Sequence, residues 1–139
     1  MRPGSLRAAS GGLCGLALCA LPVQAHHSVA AQYDTSRVVS IEGDVRSLEI
    51  TSPHSHLLIE VSRPDGSSVS WRAELASAAS LYRAGWSRYC VAIGEHVRVT
   101  GAPSRANATE LYLTDLTKAD GSHLQLLPRS SVLAAPAAN

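Results

Sequence analysis

The chain has no phenylalanine, a single methionine, and only two tryptophans and four tyrosines. A core built from it must rest on Val, Ile and Leu with the two tryptophans, and must be modest in size. Cysteine is scarce as well, with three in 139 residues. Cys14 and Cys19 lie before residue 25, which leaves Cys90 alone in the rest of the chain. A lone thiol cannot form an internal disulfide, and burial as a small hydrophobe is its expected state. Charge of one sign is also missing: 12 basic residues face 11 acidic ones. No basic face of the kind that binds nucleic acid is visible, so no nucleic-acid partner is expected. There is no Gly-rich phosphate loop and no nucleophile elbow. Cys90 near His96 lacks an orienting third group, so a thiol nucleophile is set aside. Nothing beyond the histidines suggests acid–base or nucleophilic work, and the protein is expected not to be an enzyme.

Long apolar runs are absent too, with one short exception. Arg2 and Arg7 are the only charges before Asp34, and "LRAASGGLCGLALCALPVQA" follows at 6–25. A basic start, an apolar centre and small residues at Val23-Gln24-Ala25 read as a secretory signal peptide over 1–25. The alternative is a membrane anchor. The apolar centre, Leu13 to Val23, is too short for that, because about 20 residues are needed to cross the hydrocarbon layer. Cleavage after Ala25 is expected to give an exported protein, periplasmic or secreted, with no membrane span and His26 at its N-terminus. Losing two arginines leaves ten basic against eleven acidic residues, a net charge near −1.

The mature chain opens with an aperiodic arm over 26–37. "VVSIEGDVRSLEI" at 38–50 then alternates, with Val39, Ile41, Gly43 and Val45 on one face, and Gly43 predicts a bulge or bend. Pro53 ends that strand. "HSHLLIEV" at 54–61 puts Leu57, Ile59 and Val61 on one face and His54, His56, Leu58 and Glu60 on the other. "RPDGSS" at 63–68 is a hairpin turn. A third strand follows at 69–75, with Val69, Trp71, Ala73 and Leu75 on one face and Arg72 and Glu74 outward, able to line a binding face but read as members of exposed cross-strand pairs. "ASAASLYRAGW" at 76–86 predicts a short helix, capped by Ser77, packed through Ala78, Leu81 and Tyr82, and stopped by Gly85. "HVRVTG" at 96–101 returns to strand. Residues 109–127 give a strand, an Asp120-Gly121 turn and a last short strand. Residues 128–139 read as a loose tail.

The order β-β-β-α-β-β predicts an all-β fold with one short helix over 38–127. Closing the sheet into a small barrel of the oligonucleotide/oligosaccharide-binding (OB) type removes most exposed edges. Trp71 and Trp86 are assigned to core and helix-end packing rather than to a stacking platform.

These residues resemble those of a family of small exported bacterial proteins, domain of unknown function family 6152. The resemblance rests on "AHHS" at 25–28, Tyr33-Asp34, "IEGDV" at 41–45, "SPH" at 52–54, "DGSSVSWRAEL" at 65–75, "LYRAGWSR" at 81–88 and "IGEHVRVTGAPSR" at 93–105. Ser52 stands where the family usually has Asn. The resemblance implies an exported OB-like domain and no activity.

Chemistry therefore falls to the histidines: His26, His27, His54, His56, His96 and His123. A free α-amine at His26, with the rings of His26 and His27, can chelate a metal ion, and such nitrogen donors suit Cu(II) or, less strongly, zinc. His54 and His56, two apart on a strand, can share a face and complete the set, with Glu60 orienting a ring. The metal-free alternative is a module that holds a protein, peptide or glycan on the barrel face. His96 and His123 read as surface strand residues. Asn107-Ala108-Thr109 fits a glycosylation sequon and mainly marks a surface loop.

Overall fold

Alternation of apolar and polar residues sets the strands, and closure of the sheet sets the core. The computed structural model describes residues 28–126. The elements are α1 (Val29–Gln32), β1 (Val39–Glu49), β2 (Ser55–Ser62), β3 (Ser68–Leu75), α2 (Ala78–Arg83), β4 (His96–Pro103), β5 (Glu110–Lys118) and β6 (His123–Gln125). Each strand pairs antiparallel with its neighbour in the order β3-β2-β1-β4-β5-β6. A parallel pairing of β3 with β5 then joins the two sides. The circuit β1-β2-β3-β5-β4 is closed, which is the predicted OB-type barrel, and β6 extends β5.

The inner faces form one core. Leu57, Ile59, Ala73, Leu75, Val99 and Leu111 are fully buried. Two β-bulges keep the inward set together where strict alternation would break it. One shifts the β1–β2 register between Val45 and Ser47, so that Val45 and Leu48 both reach the core although three residues apart. The other shifts the β4–β5 register at Thr100/Gly101 and does the same for Leu113 and Leu116. The irregularity expected at Gly43 therefore falls three residues later, at Arg46. Gly43 has another reason to be glycine: a Cβ there would lie 2.3 Å from the Glu60 carbonyl oxygen.

Helix α2 plugs one end of the barrel. Leu81 is buried, and Gly85 stops the helix with φ +86°. Ser77 occupies the cap position, but its hydroxyl bonds Ser80 Oγ rather than a backbone N–H. Tyr82, expected on the packing face, is 59% exposed. In a helix this short only one position faces the core, and Tyr82 lies about 100° around the axis from Leu81. Trp86 is buried at the helix end and donates its Nε1–H to the Gln125 carbonyl. Trp71 packs half-buried against the same core, so both tryptophans pack as expected. Cys90 is half-buried rather than buried, its sulfur accepting the Ser87 N–H at 3.0 Å. Among the described residues no helix is long and apolar enough to cross a membrane.

Candidate functional site

The strand registers assemble a polar row on the barrel's outer wall. His56 on β2 stands opposite Glu74 on β3, and Leu58 opposite Arg72. Across the parallel seam, Glu74 faces Tyr112 and Arg72 faces Glu110 on β5. These residues alternate with the buried ones, so all point away from the core.

The N-terminal arm covers part of this row. After the single turn of α1, Tyr33 bridges to Ser104 at the end of β4. The Asp34 N–H bonds the Pro103 carbonyl at 2.8 Å, and the Arg105 N–H bonds the Gln32 carbonyl at 2.9 Å. Tyr33 is 2% exposed, with Val29, Ala102 and Tyr112 around it. Its ring tilts against Tyr112 at 5.6 Å between centroids. The Tyr33 hydroxyl lies 2.8 Å from Glu74 Oε2 and 2.9 Å from Glu110 Oε1. One phenolic hydrogen thus faces two carboxylates. Burial, then hydrogen bonding to Glu74 and that residue's charge, pushes the Tyr33 hydroxyl far above its ordinary ionisation range.

Glu74 is itself buried, and its second oxygen is used. Oε1 lies 2.9 Å from His54 Nδ1. His54 precedes β2, and its side chain is 44% exposed. Glu74 was expected as an outward residue in an exposed pair. It is on the outward face, but the arm buries it. Glu60, the carboxylate expected to orient a histidine, is committed elsewhere, to Ser68 and to Arg46 at 3.4 Å. It lies four residues along β2 from His56, on the order of 13 Å.

His56 has a different environment from His54. Its Nε2 meets the Arg72 guanidinium. Burial first, and the Arg72 charge second, pull its pKa below the ordinary histidine value, against the opposing charges of Glu74 and Glu49. A histidine that resists protonation when folded contributes stability that is present above the unfolded pKa near 6.5 and lost as pH falls through the folded value. A His56→Gln variant is therefore expected to show a shallower loss of denaturation midpoint than wild type between pH 6.5 and 5. Parallel slopes would contradict this.

The remaining histidines stand apart. His96 Nδ1 pairs with Asp44 at 2.8 Å, and His123 Nδ1 lies 3.5 Å from Asp115, both exposed on the other side of the barrel. Among the described residues no group of three His, Cys, Asp or Glu side chains converges as a metal site. His26 and His27 lie outside the described residues. Asn107 sits in an exposed turn, accepting the Thr109 N–H at 3.1 Å.

A family model for a family of unknown function, DUF6152, matches residues 14–112. The chain belongs to that family. The matched range includes Tyr33, His54, Glu74 and Tyr112. No curated protein matches this DUF6152 chain. Among solved structures, it is similar to the dimeric N-terminal domain of PriB protein from Thermoanaerobacter tencongensis, at 17% identity and TM-score 0.42, over 58% of this chain and 93% of that one. It is also similar to a small single-stranded DNA-binding protein from Streptomyces coelicolor, at 13% identity and TM-score 0.40, over 60% and 91%.

Proposed function

We propose that this DUF6152 chain is an exported binding protein that holds a copper ion, or alternatively zinc, at the barrel rim, through His54 together with His26 and His27. The observation that carries this reading is the pairing of His54 Nδ1 with the buried carboxylate of Glu74. A ring whose Nδ1–H is held by a carboxylate presents Nε2 outward as a lone-pair donor, the arrangement common behind metal-bound histidines. The docked arm supplies the rest of the argument. Val29 packs in the Tyr33 cluster, and His26 is three residues away, a reach of roughly 10 Å. His56 stands beside the donor set rather than in it while Arg72 occupies its Nε2. It joins as a fourth donor only if that contact opens.

The test begins with the processed chain recovered after export, its N-terminus read by mass spectrometry. Titration with Cu(II) is expected to give one equivalent bound with a nitrogen-rich paramagnetic resonance spectrum. Replacing His54 with alanine is expected to weaken binding by about tenfold or more. Unchanged affinity and spectrum in that variant would remove the shared site.

A metal-free interaction module is the second reading. Tyr82 at the end of α2, and Tyr89 and Ile93 in the connection from α2 to β4, are exposed at 59%, 82% and 78%, beside Arg83 and Arg88 in the sequence. Capture of a partner by the metal-stripped chain, lost on Tyr89→Ala, would favour it.

A further inference from the structure

We propose that the end of α2 and its connection to β4 form a docking surface for an anionic lipid bilayer. The proposal is independent of the metal site. It rests on the second reading above, whose exposed residues it uses, and names what they meet. Among the described residues the exposed large apolar side chains are Val38, Tyr82, Tyr89 and Ile93. All but Val38 lie between positions 82 and 93. Arg83 and Arg88 are exposed in the same segment, and no Asp or Glu occurs from Leu75 to Gly94. The Arg83 guanidinium donates to Ser80 Oγ at 3.2 Å, and Arg88 lies 5.5 Å from the centre of the Tyr89 ring. Both partners are neutral, whereas the arginines that meet carboxylates among the described residues are Arg46, Arg98 and Arg105. The next acid along the chain, Glu95, is engaged with Lys118 at 2.9 Å and with the Ala92 N–H at 2.8 Å.

The segment is pinned from below. Leu81, Trp86 and Val91 are buried between the exposed positions. The Trp86 N–H bonds the Leu81 carbonyl at 3.0 Å, the Cys90 N–H bonds the Ser87 carbonyl at 3.1 Å, and the Gly94 N–H bonds the Val45 carbonyl of β1 at 2.7 Å. Little ordering is therefore needed on binding. The occupant follows from the side chains. Tyrosine and arginine each carry an apolar body and a polar tip, which suits the headgroup layer of a bilayer. Tyr89 and Ile93 are 82% and 78% exposed, so they stand out from the surface with few neighbours. A protein partner would need a matched pocket for each to reach interior packing density, whereas lipid headgroups move aside. A second copy is disfavoured, because an isologous contact sets one positively charged patch against another. The whole chain carries a net charge of only +1, so the attraction is local. It acts within a Debye length of the anionic surface, about 10 Å at 0.1 M salt.

The experiment is cosedimentation of the processed chain, its N-terminus read by mass spectrometry, with two kinds of vesicle. One is phosphatidylcholine alone, and the other is equal parts phosphatidylcholine and phosphatidylglycerol. Wild type is expected to bind the anionic vesicles about tenfold or more tightly than the neutral ones. Arg83→Gln and Arg88→Gln are each expected to weaken that binding about fivefold. Tyr89→Ser and Ile93→Ser are each expected to weaken it about fivefold through lost apolar contact. Val38→Ser removes an exposed apolar side chain outside the segment and is expected to change nothing. All five positions are exposed, so the variants are expected to fold, with thermal melts as the check. A spin-labelled lipid is expected to broaden the amide signals of Tyr89 and Ile93 and to spare Gly66, in the turn between β2 and β3. Equal binding to both vesicles overturns the bilayer assignment. So do arginine effects with none from Tyr89 and Ile93, or a loss in Val38→Ser equal to that in Ile93→Ser. If vesicles do not bind but a captured protein is lost on Tyr89→Ala, the bilayer is wrong and the interaction reading stands. If neither binds, both readings fall.

Discussion

Gly101→Ala is expected to cost about 3 kcal/mol or more of stability and to lower the melting temperature by on the order of 15 °C. The reason is space, since Gly101 has no positive φ. A Cβ at this position would lie 2.1 Å from the carbonyl oxygen of Tyr112 and 2.8 Å from its carbonyl carbon. Both are backbone atoms of β5, so no side-chain rotation relieves the clash. Gly101 also sits where the β4–β5 register shifts, between pairings to Val39 on one side and Leu113 on the other. Moving either strand there disturbs the barrel closure and Tyr112, on which the arm rests. A domain of about 100 ordered residues has roughly 5–15 kcal/mol in all, so this single methyl takes a large share. Gly66→Ala is the control. It has φ +83° and nothing within 4 Å, so its cost is limited to left-handed strain of about 1 kcal/mol. A Gly101→Ala melt within a few degrees of wild type would show that β4 and β5 are not this close.

Tyr33→Ala is expected to detach the arm, at a cost of about 3–4 kcal/mol for the lost ring. Fast amide exchange at Tyr33, Asp34 and Arg105 is the accompanying signature, because the hydrogen bonds of Asp34 and Arg105 to Pro103 and Gln32 depend on the arm's seat. Tyr33→Phe separates ring from hydroxyl and is expected to cost about 1–2 kcal/mol. The hydroxyl carries a pH signature with a definite sign. Its ionisation is pushed above the ordinary value by burial, then by Glu74 and Glu110. The folded state thus keeps a proton that the unfolded state loses above pH 10. Its contribution is full below that pH and declines as pH rises beyond it. Tyr112 is raised in the same direction by burial and then by Glu74, so the test is a difference between variants. The stability gap between wild type and Tyr33→Phe is expected to narrow above pH 10. A gap that holds constant would mean the hydroxyl does not face the carboxylates.

Much of the barrel was legible because its signals are local. Period-two alternation placed Leu57, Ile59, Ala73 and Leu75 inward, and all four are fully buried. Asp65-Gly66, Gly85 and Asp120-Gly121 marked turns, and each glycine has positive φ there. The helix packing was legible only in part. A periodicity of 3.6 suggests a face, but six residues offer too little face for Tyr82 to share. The bulges were not legible at their true positions. Arg46 and Thr114 are ordinary in composition, and the extra residue shows only when the partner strand is in place.

The candidate site divides along the same line. His54 was visible as a residue of the right chemistry near a chain turn, and His56 as its neighbour. Glu74 was visible only as an outward carboxylate, and Tyr33 only as part of the family resemblance at 33–34, with no role attached to it. The sequence by itself determined the strand and turn order, the closed-barrel fold and the residues able to donate nitrogen, because each follows from periodicity or side-chain chemistry within a few positions. Only the tertiary structure decided which carboxylate meets which histidine. Tyr33 reaches Glu74 and Glu110 across sequence separations of 41 and 77 residues. Those contacts depend on the parallel seam of β3 and β5 and on an arm laid over it. Pairings at that range are set by how a closed sheet brings distant strands together, which no local pattern encodes.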